Sequence, residues 1–393
     1  MQNLLPVLRL KPACLVHLAT PKTQSRSAWI AEAARQSNCR VELETITLSA
    51  MPGMRETMKA TLAAIETAAQ RDETALVNFT GGTKLMSIGA YVAALKHKTP
   101  SFYVDTQDAL FVDGQSGQGL PDHFAGDLSF TPILRSLSLN AVAAANGCGR
   151  ITNGHDWQPW LPLAQHLLDH PDHELACHRA VQDLGPAPRR AAEWLQALDR
   201  DFPVPEPVAA LATQSAQYRA GSAPGTLRLP DTSRAELADL ARLDGQSHVP
   251  NFTDRLFRAV APLQLALNFL HGAWWEVIIA ERLRHTGRFR DIRWSAQIGE
   301  RGGPDLEEDV VALEGVRVAY LSCKRSSQGG KLLAQLEQIK ARAERLGGAF
   351  NLRFLCVYQP PSGKARDNLK KRATELGIRL VFAEDLAKPD PFT

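Results

Sequence analysis

The spacing of apolar positions changes repeatedly along the first 125 residues. Cys14-Leu15-Val16-His17-Leu18-Ala19 is a short apolar run ending in Thr20-Pro21-Lys22-Thr23, and Val41, Leu43, Ile46 and Leu48 punctuate a polar stretch. Both read as strands. Ser27–Gln36 and Met54–Gln70 (Met58, Leu62, Ile65, Ala69) carry helical spacing instead. Ala75–Phe79 is a buried-type strand running into Thr80-Gly81-Gly82-Thr83-Lys84. An apolar helix over Leu85–Leu95 and a strand over Ser101–Val104 follow. Strand–helix alternation of this kind predicts a Rossmann-like, doubly wound parallel sheet over residues 1–125.

Residues 126–250 break the pattern. They hold Pro203, Pro205 and Pro207, short helical stretches at Trp160–Leu168, Arg189–Leu198 and Arg234–Leu243, and a loop from Ala220 to Gly225. They read as a helical connector with linkers. From 251 onward periodicity returns. A helix-type run covers Ala261–Arg284 with an interruption near Gly272, followed by a strand at Ile292–Ile298. Two apolar runs, Val310–Leu313 and Val316–Leu321, are joined by a Glu314-Gly315 turn. Then come a helix at Lys331–Arg345 stopped by Gly347-Gly348, a strand at Leu352–Tyr358, a helix at Ala365–Leu376 closed by Gly377, and a strand at Ile378–Phe382. The fold class expected is α/β: an N-terminal Rossmann-like domain, a helical linker region, and a C-terminal domain over 251–393 in αβββαβ order.

Composition adds limits. A chain of 393 residues can form two or three domains, and 22% charged with 44% hydrophobic residues is ordinary for a globular protein. The net charge of +3 leaves nucleic-acid binding to a local basic surface. Cys14, Cys39, Cys148, Cys177, Cys323 and Cys356 form no CxxC pair, so free thiols in a reducing compartment are expected. With no signal-peptide pattern and no apolar run long enough to span a bilayer, the expected location is cytoplasmic, without membrane contact.

The chemistry concentrates in three places. Asp309 enters one strand of the central hairpin and Lys324 leaves the other, so that carboxylate and ammonium can lie side by side. Glu276 interrupts Trp274-Trp275-[Glu276]-Val277-Ile278-Ile279-Ala280, and an acid so embedded needs a groove, a partner or a cation. Helix acid, strand acid and strand lysine suit a metal-dependent phosphodiesterase. That order is the one found in the PD-(D/E)xK nuclease fold, which this chain resembles with one departure: Ser322 stands where the motif has an acid. The resemblance implies that the carboxylates Glu276 and Asp309 hold Mg²⁺ or Mn²⁺ and that Lys324 assists the attacking water. Glu308, beside Asp309, is a candidate to make up the charge, as is a retained water. Asp305 reads as a solvated turn. The competing reading of the hairpin is a surface charge pair, with Glu276 in a buried salt bridge.

The segment Thr80-Gly81-Gly82-Thr83-Lys84 joins a strand to a helix N-terminus, where glycines, free amides and the helix dipole favour a phosphate. It has neither the GxxxxGK[ST] nor the GxGxxG spacing, so ATP hydrolysis and dinucleotide binding are poorly supported. A simple tight turn is the alternative. Thr20 and Thr23 lie at the end of another strand of the sheet. Together the two Thr/Lys loops suit a phosphate-rich ligand.

With its strand feeding Thr-Gly-Gly-Thr-Lys, and with Asn3-Leu-Leu-Pro-Val-Leu-Arg-Leu-Lys-Pro followed by a strand ending in Thr20-Pro-Lys-Thr23, the N-terminal part resembles CRISPR-associated Rossmann-fold (CARF) domains. In one group of CRISPR ancillary nucleases a CARF domain precedes a PD-(D/E)xK domain, and Glu308-Asp309-Val310-Val311 with Ser322-Cys323-Lys324 resembles theirs, serine included. The resemblance covers about residues 1–125 and 260–385. It implies a homodimer that binds a cyclic oligoadenylate, most often cyclic tetraadenylate, and is thereby activated for metal-dependent cutting of DNA, RNA or both. By matched position Thr80, Gly81, Gly82, Thr83 and Lys84 would line the ligand site, with Thr20 and Thr23 opposite. Members usually have a strand ahead of Asn3, whereas the sequence starts at Met1. The expectation is that this strand is missing or lies upstream. Two rivals are a non-catalytic sensor that binds nucleic acid, favoured by Ser322, and a ring nuclease cleaving its own ligand with Lys84 and the threonines.

Weaker signals remain. His166 and His170 have i, i+4 spacing near His173, His178 and Cys177, but Pro171 interrupts the helix, so a packed or solvated helix end is favoured over zinc. Lys364, Arg366, Lys370, Lys371 and Arg372 make a basic helix, either a phosphate contact or a solvated face. Trp274 and Trp275 are expected in the core.

Overall fold

The computed structural model describes residues 3–105, 110–114, 129, 131–134, 136–152, 156–183, 190–198, 202–213, 226–227, 231–243, 251–299, 306–326, 329–348 and 351–393. The N-terminal part runs α1 (Leu4–Leu10), β1 (Cys14–Ala19), α2 (Gln24–Gln36), β2 (Glu42–Thr47), α3 (Met54–Gln70), β3 (Val77–Asn78), α4 (Lys84–His97), β4 (Ser101–Asp105) and β5 (Leu110–Asp113). The pairings are parallel, as strand–helix alternation predicts, but among the described residues, in place of one continuous sheet, β1 and β2 form a two-stranded sheet and β3 and β4 a second one, on which β5 folds back antiparallel. Helix α1 occupies Leu4–Leu10, a stretch with no helical signal strong enough to register in so few residues. Its Leu4, Leu5 and Leu8 are buried all the same.

The middle carries α5 (Thr131–Leu134), α6 (Leu139–Ala145), β6 (Ile151–Thr152), α7 (Leu161–Asp169), α8 (Pro171–Asp183), α9 (Ala191–Leu198), β7 (Phe202–Pro203), α10 (Glu206–Ala212), β8 (Thr226–Leu227) and α11 (Asp231–Leu243). Pro171 does end one helix, and it opens the next: at a first helical position its missing N–H costs nothing. The C-terminal part holds α12 (Phe252–Asn268), a π-helical turn (Phe269–Ala273), α13 (Trp274–His285), β9 (Phe289–Ile298), β10 (Leu306–Glu314), β11 (Arg317–Ser326), α14 (Gly329–Gly347), β12 (Leu352–Gln359), α15 (Gly363–Glu375) and β13 (Arg379–Phe382). The helix expected from Ala261 begins earlier, at Phe252, and its interruption is the π turn around Gly272.

Six strands form the C-terminal sheet in the order β13-β12-β11-β10-β9-β6, antiparallel from β6 to β11 and parallel from β11 to β13. One face, with Val310, Ala312, Leu321 and Phe354, packs under α12 and α13 and shares a core with α7 to α11. The other, with Val311, Leu313, Tyr320 and Leu355, packs against α14 and α15 and joins α1, α2 and α6. The middle segment therefore shares a buried core with the C-terminal sheet and supplies its edge strand.

Helix α6 lies between the N-terminal part and this sheet. Its first turn is capped by Asp291 of β9, whose Oδ2 accepts from Leu139 N at 2.6 Å. Its end is tied by Asn146 Nδ2 to the Leu346 carbonyl of α14 at 3.1 Å. Gly147, at φ +83°, follows it against Trp29 of α2, and a Cβ there would come within 2.6 Å of the indole.

Candidate active site

The ladder between β10 and β11 stops at Val310–Leu321. Asp309 lies just beyond it, and its carboxylate takes the place of a strand neighbour. Oδ2 accepts from Cys323 N at 2.7 Å, from Lys324 Nζ at 2.9 Å and from Ser322 Oγ at 3.2 Å. All three donors converge on one oxygen. Burial disfavours the Lys324 ammonium, but the Asp309 carboxylate and its hydrogen bond more than offset this and raise the lysine above its ordinary value.

Glu276 enters from the first turn of α13, the helix laid across this face. Its Oε2 accepts from Trp294 Nε1 of β9 at 2.8 Å. Burial, and next the charge of Asp309, push the Glu276 carboxyl well above the usual range. The Trp294 bond and the Lys324 charge pull it down without cancelling that. The sequence-derived trio therefore belongs to one electrostatic site. Trp294 and the Cys323 amide had no signal in the sequence, because a strand tryptophan reads as core and a main-chain donor carries no residue type.

Glu308 corrects an expectation. It cannot make up for Ser322, because it turns to the other face of the sheet. There its Oε2 accepts from Tyr320 OH at 2.5 Å and from Arg342 Nη1 of α14 at 3.0 Å, with the side chain buried. Strict alternation would place Glu308 on the same face as Val310. The phase reverses in both strands at this level. In β9, Trp294 joins the core under α13 while Ala296 joins the core under α14, and between them Ser295 has φ +49°. A left-handed residue lets the strand switch faces. Opposite it, β10 switches at Asp309. Asp305 lies outside the described residues.

The N-terminal loops are held together from within. Thr80 N and Oγ1 donate to Asn78 Oδ1 at 3.0 and 2.6 Å, and Val104 N donates to Thr80 Oγ1 at 2.6 Å. Thr83 caps α4, its Oγ1 accepting from Met86 N at 3.3 Å. Asn3 Oδ1 accepts from Asn78 Nδ2 at 3.4 Å and lies close against Gly81. Gly82 takes φ +89°, which no β-branched residue would tolerate. What the loop offers outward is Gly82, Thr83 and the exposed Lys84 at a helix N-terminus. Thr20 and Thr23 bond each other, Oγ1 to Oγ1, at 3.0 Å, with Thr20 N also donating to Thr23 Oγ1 at 3.0 Å. The threonines thus shape both loops. Asn3 and Asn78 supply the side-chain amides that shape the Thr80 loop.

Among the described residues no group of three or more His, Cys, Asp or Glu side chains is placed to hold a metal ion. His166, His170 and His173 stack on one another, and His166 Nε2 lies 2.9 Å from His173 Nδ1. In the basic helix α15, Arg366 is paired with Glu384 and Arg372 with Glu337 and Glu375, while Lys364, Lys370 and Lys371 are exposed. Trp274 and Trp275 are fully buried. No described helix is long and apolar enough to cross a membrane.

Comparison with known proteins agrees with this architecture. Residues 2–118 match the family model of the Card1 CARF domain. In structure the chain is similar to Can2 from Sulfobacillus thermosulfidooxidans, solved in complex with cyclic tetra-adenylate. The TM-score is 0.62 at 17% identity, over 99% of this chain and 94% of that one. It is also similar to protein VC1899 from Vibrio cholerae, with a TM-score of 0.63 at 14% identity, over 99% and 93% of the two chains. No curated protein matches the sequence. The N-terminal domain is of the Card1 CARF type, and the whole chain has a Can2-like mixed α/β fold.

Proposed function

We propose that this protein is a type III CRISPR defence nuclease of the cytoplasm, switched on by a cyclic oligoadenylate, namely cyclic tetraadenylate, the ligand with which Can2 was solved. The observation that carries the reading is the convergence of Asp309, Lys324 and Glu276 at the split between β10 and β11, on a chain whose N-terminal part matches a CARF domain.

A buried carboxyl whose ionisation is disfavoured by burial and by the nearby Asp309 charge, with one ammonium beside them, suits a hard divalent cation. Glu276 and Asp309 would hold Mg²⁺ or Mn²⁺, with water completing the shell, since Ser322 brings no charge and Glu308 faces away. A bound cation supplies charge for the scissile phosphate and an acidified water. Lys324, held at 2.9 Å from Asp309, orients the attacking water and balances charge as the phosphorane-like state forms. The substrate is DNA, RNA or both.

An apolar stripe on α4 supports the homodimer. Leu85, Ile88 and Leu95 are 53%, 46% and 39% exposed, and Leu85 directly follows the ligand-loop Lys84. Burying such a stripe against its copy would bring two ligand loops to one two-fold axis. The hydroxyls of Thr20, Thr23, Thr80 and Thr83 are all engaged in shaping their loops, which argues for holding the cyclic ligand over cleaving it.

The test is to incubate protein and Mn²⁺ with plasmid and labelled single strands, with and without cyclic tetraadenylate, beside Asp309→Ala. Cutting that needs the cyclic ligand and is lost in Asp309→Ala is expected. No cutting under any condition would reject the nuclease. Cutting that survives Asp309→Ala would reject the site. Loss of the cyclic ligand, unchanged by Asp309→Ala, would make the N-terminal domain a ring nuclease.

A further inference from the structure

Among the described residues, the strand end that carries Lys324 is paired on one side only. β11 leaves β10 after Leu321, but stays bonded to β12 through Lys324–Val357 and Ser326–Gln359. A strand end with one ladder resists displacement less than one with two, so something else must hold Lys324 against Asp309. The next residue, Arg325, reaches into the middle segment. Its Nε donates to Glu174 Oε1, and its Nη2 to Glu174 Oε2 at 2.8 Å, a bidentate pair with α8. The Glu174 side chain is 0% exposed and that of Arg325 9%, so neither charge has water to fall back on.

The same cluster bears on the helix that carries Glu276. Arg325 Cβ lies 3.6 Å from where a Cβ on Gly272 would be, in the π turn just before α13. One helical turn after Glu174, His178 Nδ1 bonds the His271 carbonyl at 3.1 Å, and the two rings stack at 4.8 Å. Helix α8 therefore grips both the end of β11 and the start of α13. A buried ion pair seldom adds net stability over an apolar pair of like volume. What it does add is direction, and breaking one partner leaves a stranded charge.

We propose that Glu174 is a positioning residue of the nuclease: through Arg325 it anchors the one-sided end of β11 and so keeps Lys324 on Asp309. Helix α8 is then a working part of the cutting site. The inference rests on the nuclease reading above for its functional consequence, but its structural half can be measured without catalysis.

The experiment compares the full-length wild type with Glu174→Gln and with the apolar pair Glu174→Met/Arg325→Met. Amide deuterium exchange is followed in the peptides covering 318–326 and 352–359, beside melting temperature and the kcat and KM of cyclic-tetraadenylate-activated cutting with Mn²⁺. Glu174→Gln should speed exchange at 322–326 by roughly tenfold, leaving 352–359 unchanged. It should lower kcat by roughly 10- to 100-fold with KM within about twofold. The apolar pair should recover the melting temperature while kcat stays low and exchange stays fast. Recovery of kcat together with melting temperature would overturn the proposal, since the pair would then serve docking alone. Unchanged exchange at 322–326 would overturn it too, as would a raised KM at constant kcat, which would make Arg325 a substrate contact. If the wild type fails to cut, the nuclease reading falls, and exchange alone decides whether Glu174 anchors the strand.

Discussion

Lys324 Nζ donates to Asp309 Oδ2 over 2.9 Å at the level where β10 and β11 cease to pair. The contact joins a strand-borne ammonium to a carboxylate already bound by a main-chain amide, so each side chain fixes the other. Asp309→Asn and Lys324→Met should each lower kcat for cutting by more than about 100-fold. Because the two act as a unit, the double variant should be little worse than either single one. Additive losses in single-turnover assays would show that they act independently.

Ser322 donates the longest of the three bonds to Asp309, at 3.2 Å. Its removal leaves the Cys323 amide and Lys324 in place. Ser322→Ala should therefore cost less than about tenfold in kcat, the effect of losing one long hydrogen bond of the three on the same oxygen. A loss as large as that of Asp309→Asn would mean that the serine itself acts in the chemistry.

Glu308 is buried between Tyr320 and Arg342 on the face away from Glu276. Glu308→Gln should lower stability by about 1–3 kcal/mol, since it weakens two bonds to a buried carboxyl. The concentration of Mn²⁺ giving half-maximal cutting should not move. Chemical denaturation and a cation titration measure the two effects separately, and a shifted titration with unchanged stability would return Glu308 to the cation site.

Gly147 follows α6 with φ +83° and Trp29 of α2 packed against it. Gly147→Ala meets both a backbone penalty and an indole that must move. A destabilisation of about 1–3 kcal/mol is expected. Since α6 lies between the CARF domain and the C-terminal sheet, activation by the cyclic ligand should weaken more than basal stability alone explains. Equal activation in wild type and variant would show that this joint carries no signal.

Glu281 of α13 accepts a two-pronged contact from Arg284 and further bonds from Trp157 and Gln158 at 3.3 Å, which tie α13 to the segment ahead of α7. The Arg284 bond, against the opposing effect of burial and with help from Trp157 and Gln158, holds this carboxyl down at about 2. A folded value below the unfolded one means that the unfolded chain binds the proton more readily. The stabilisation is therefore complete above the ordinary glutamate range and is lost as pH falls through about 2. Glu281→Gln should cost on the order of 1–2 kcal/mol at neutral pH, discounted because Arg284 is half exposed, and should flatten the acid limb of the stability profile. Melting curves from neutral pH to pH 3 would show an undiminished acid limb if the contact contributes nothing.

Much of the fold is legible from local pattern. Strand–helix alternation up to Val104, the αβββαβ order after the π turn, and the glycine stops after α14 and α15 all rest on periodicity and on chain chemistry within a few residues. So does the trio Glu276, Asp309 and Lys324, because a charged residue inside an apolar run carries its own signal. Less is legible where a short or weakly periodic segment is held by distant partners. Helix α1 has seven residues and earns its burial from the core it joins, and α8 is a largely polar helix whose buried positions are Glu174 and Cys177.

Which way a side chain points at a strand irregularity cannot be read locally at all. Sequence adjacency made Glu308 and Asp309 look like one acidic cluster. A left-handed Ser295 in the neighbouring strand accompanies a reversal of face that sends Glu308 to Tyr320 and Arg342, and leaves Asp309 to Lys324. Likewise Glu174 and Arg325 lie 151 positions apart, and nothing in either neighbourhood names the other. Residue types and their periods state which chemistry the chain can carry. Only the packing of one strand against another, with the cost of burying each charge unpaired, selects which carboxylate meets which cation.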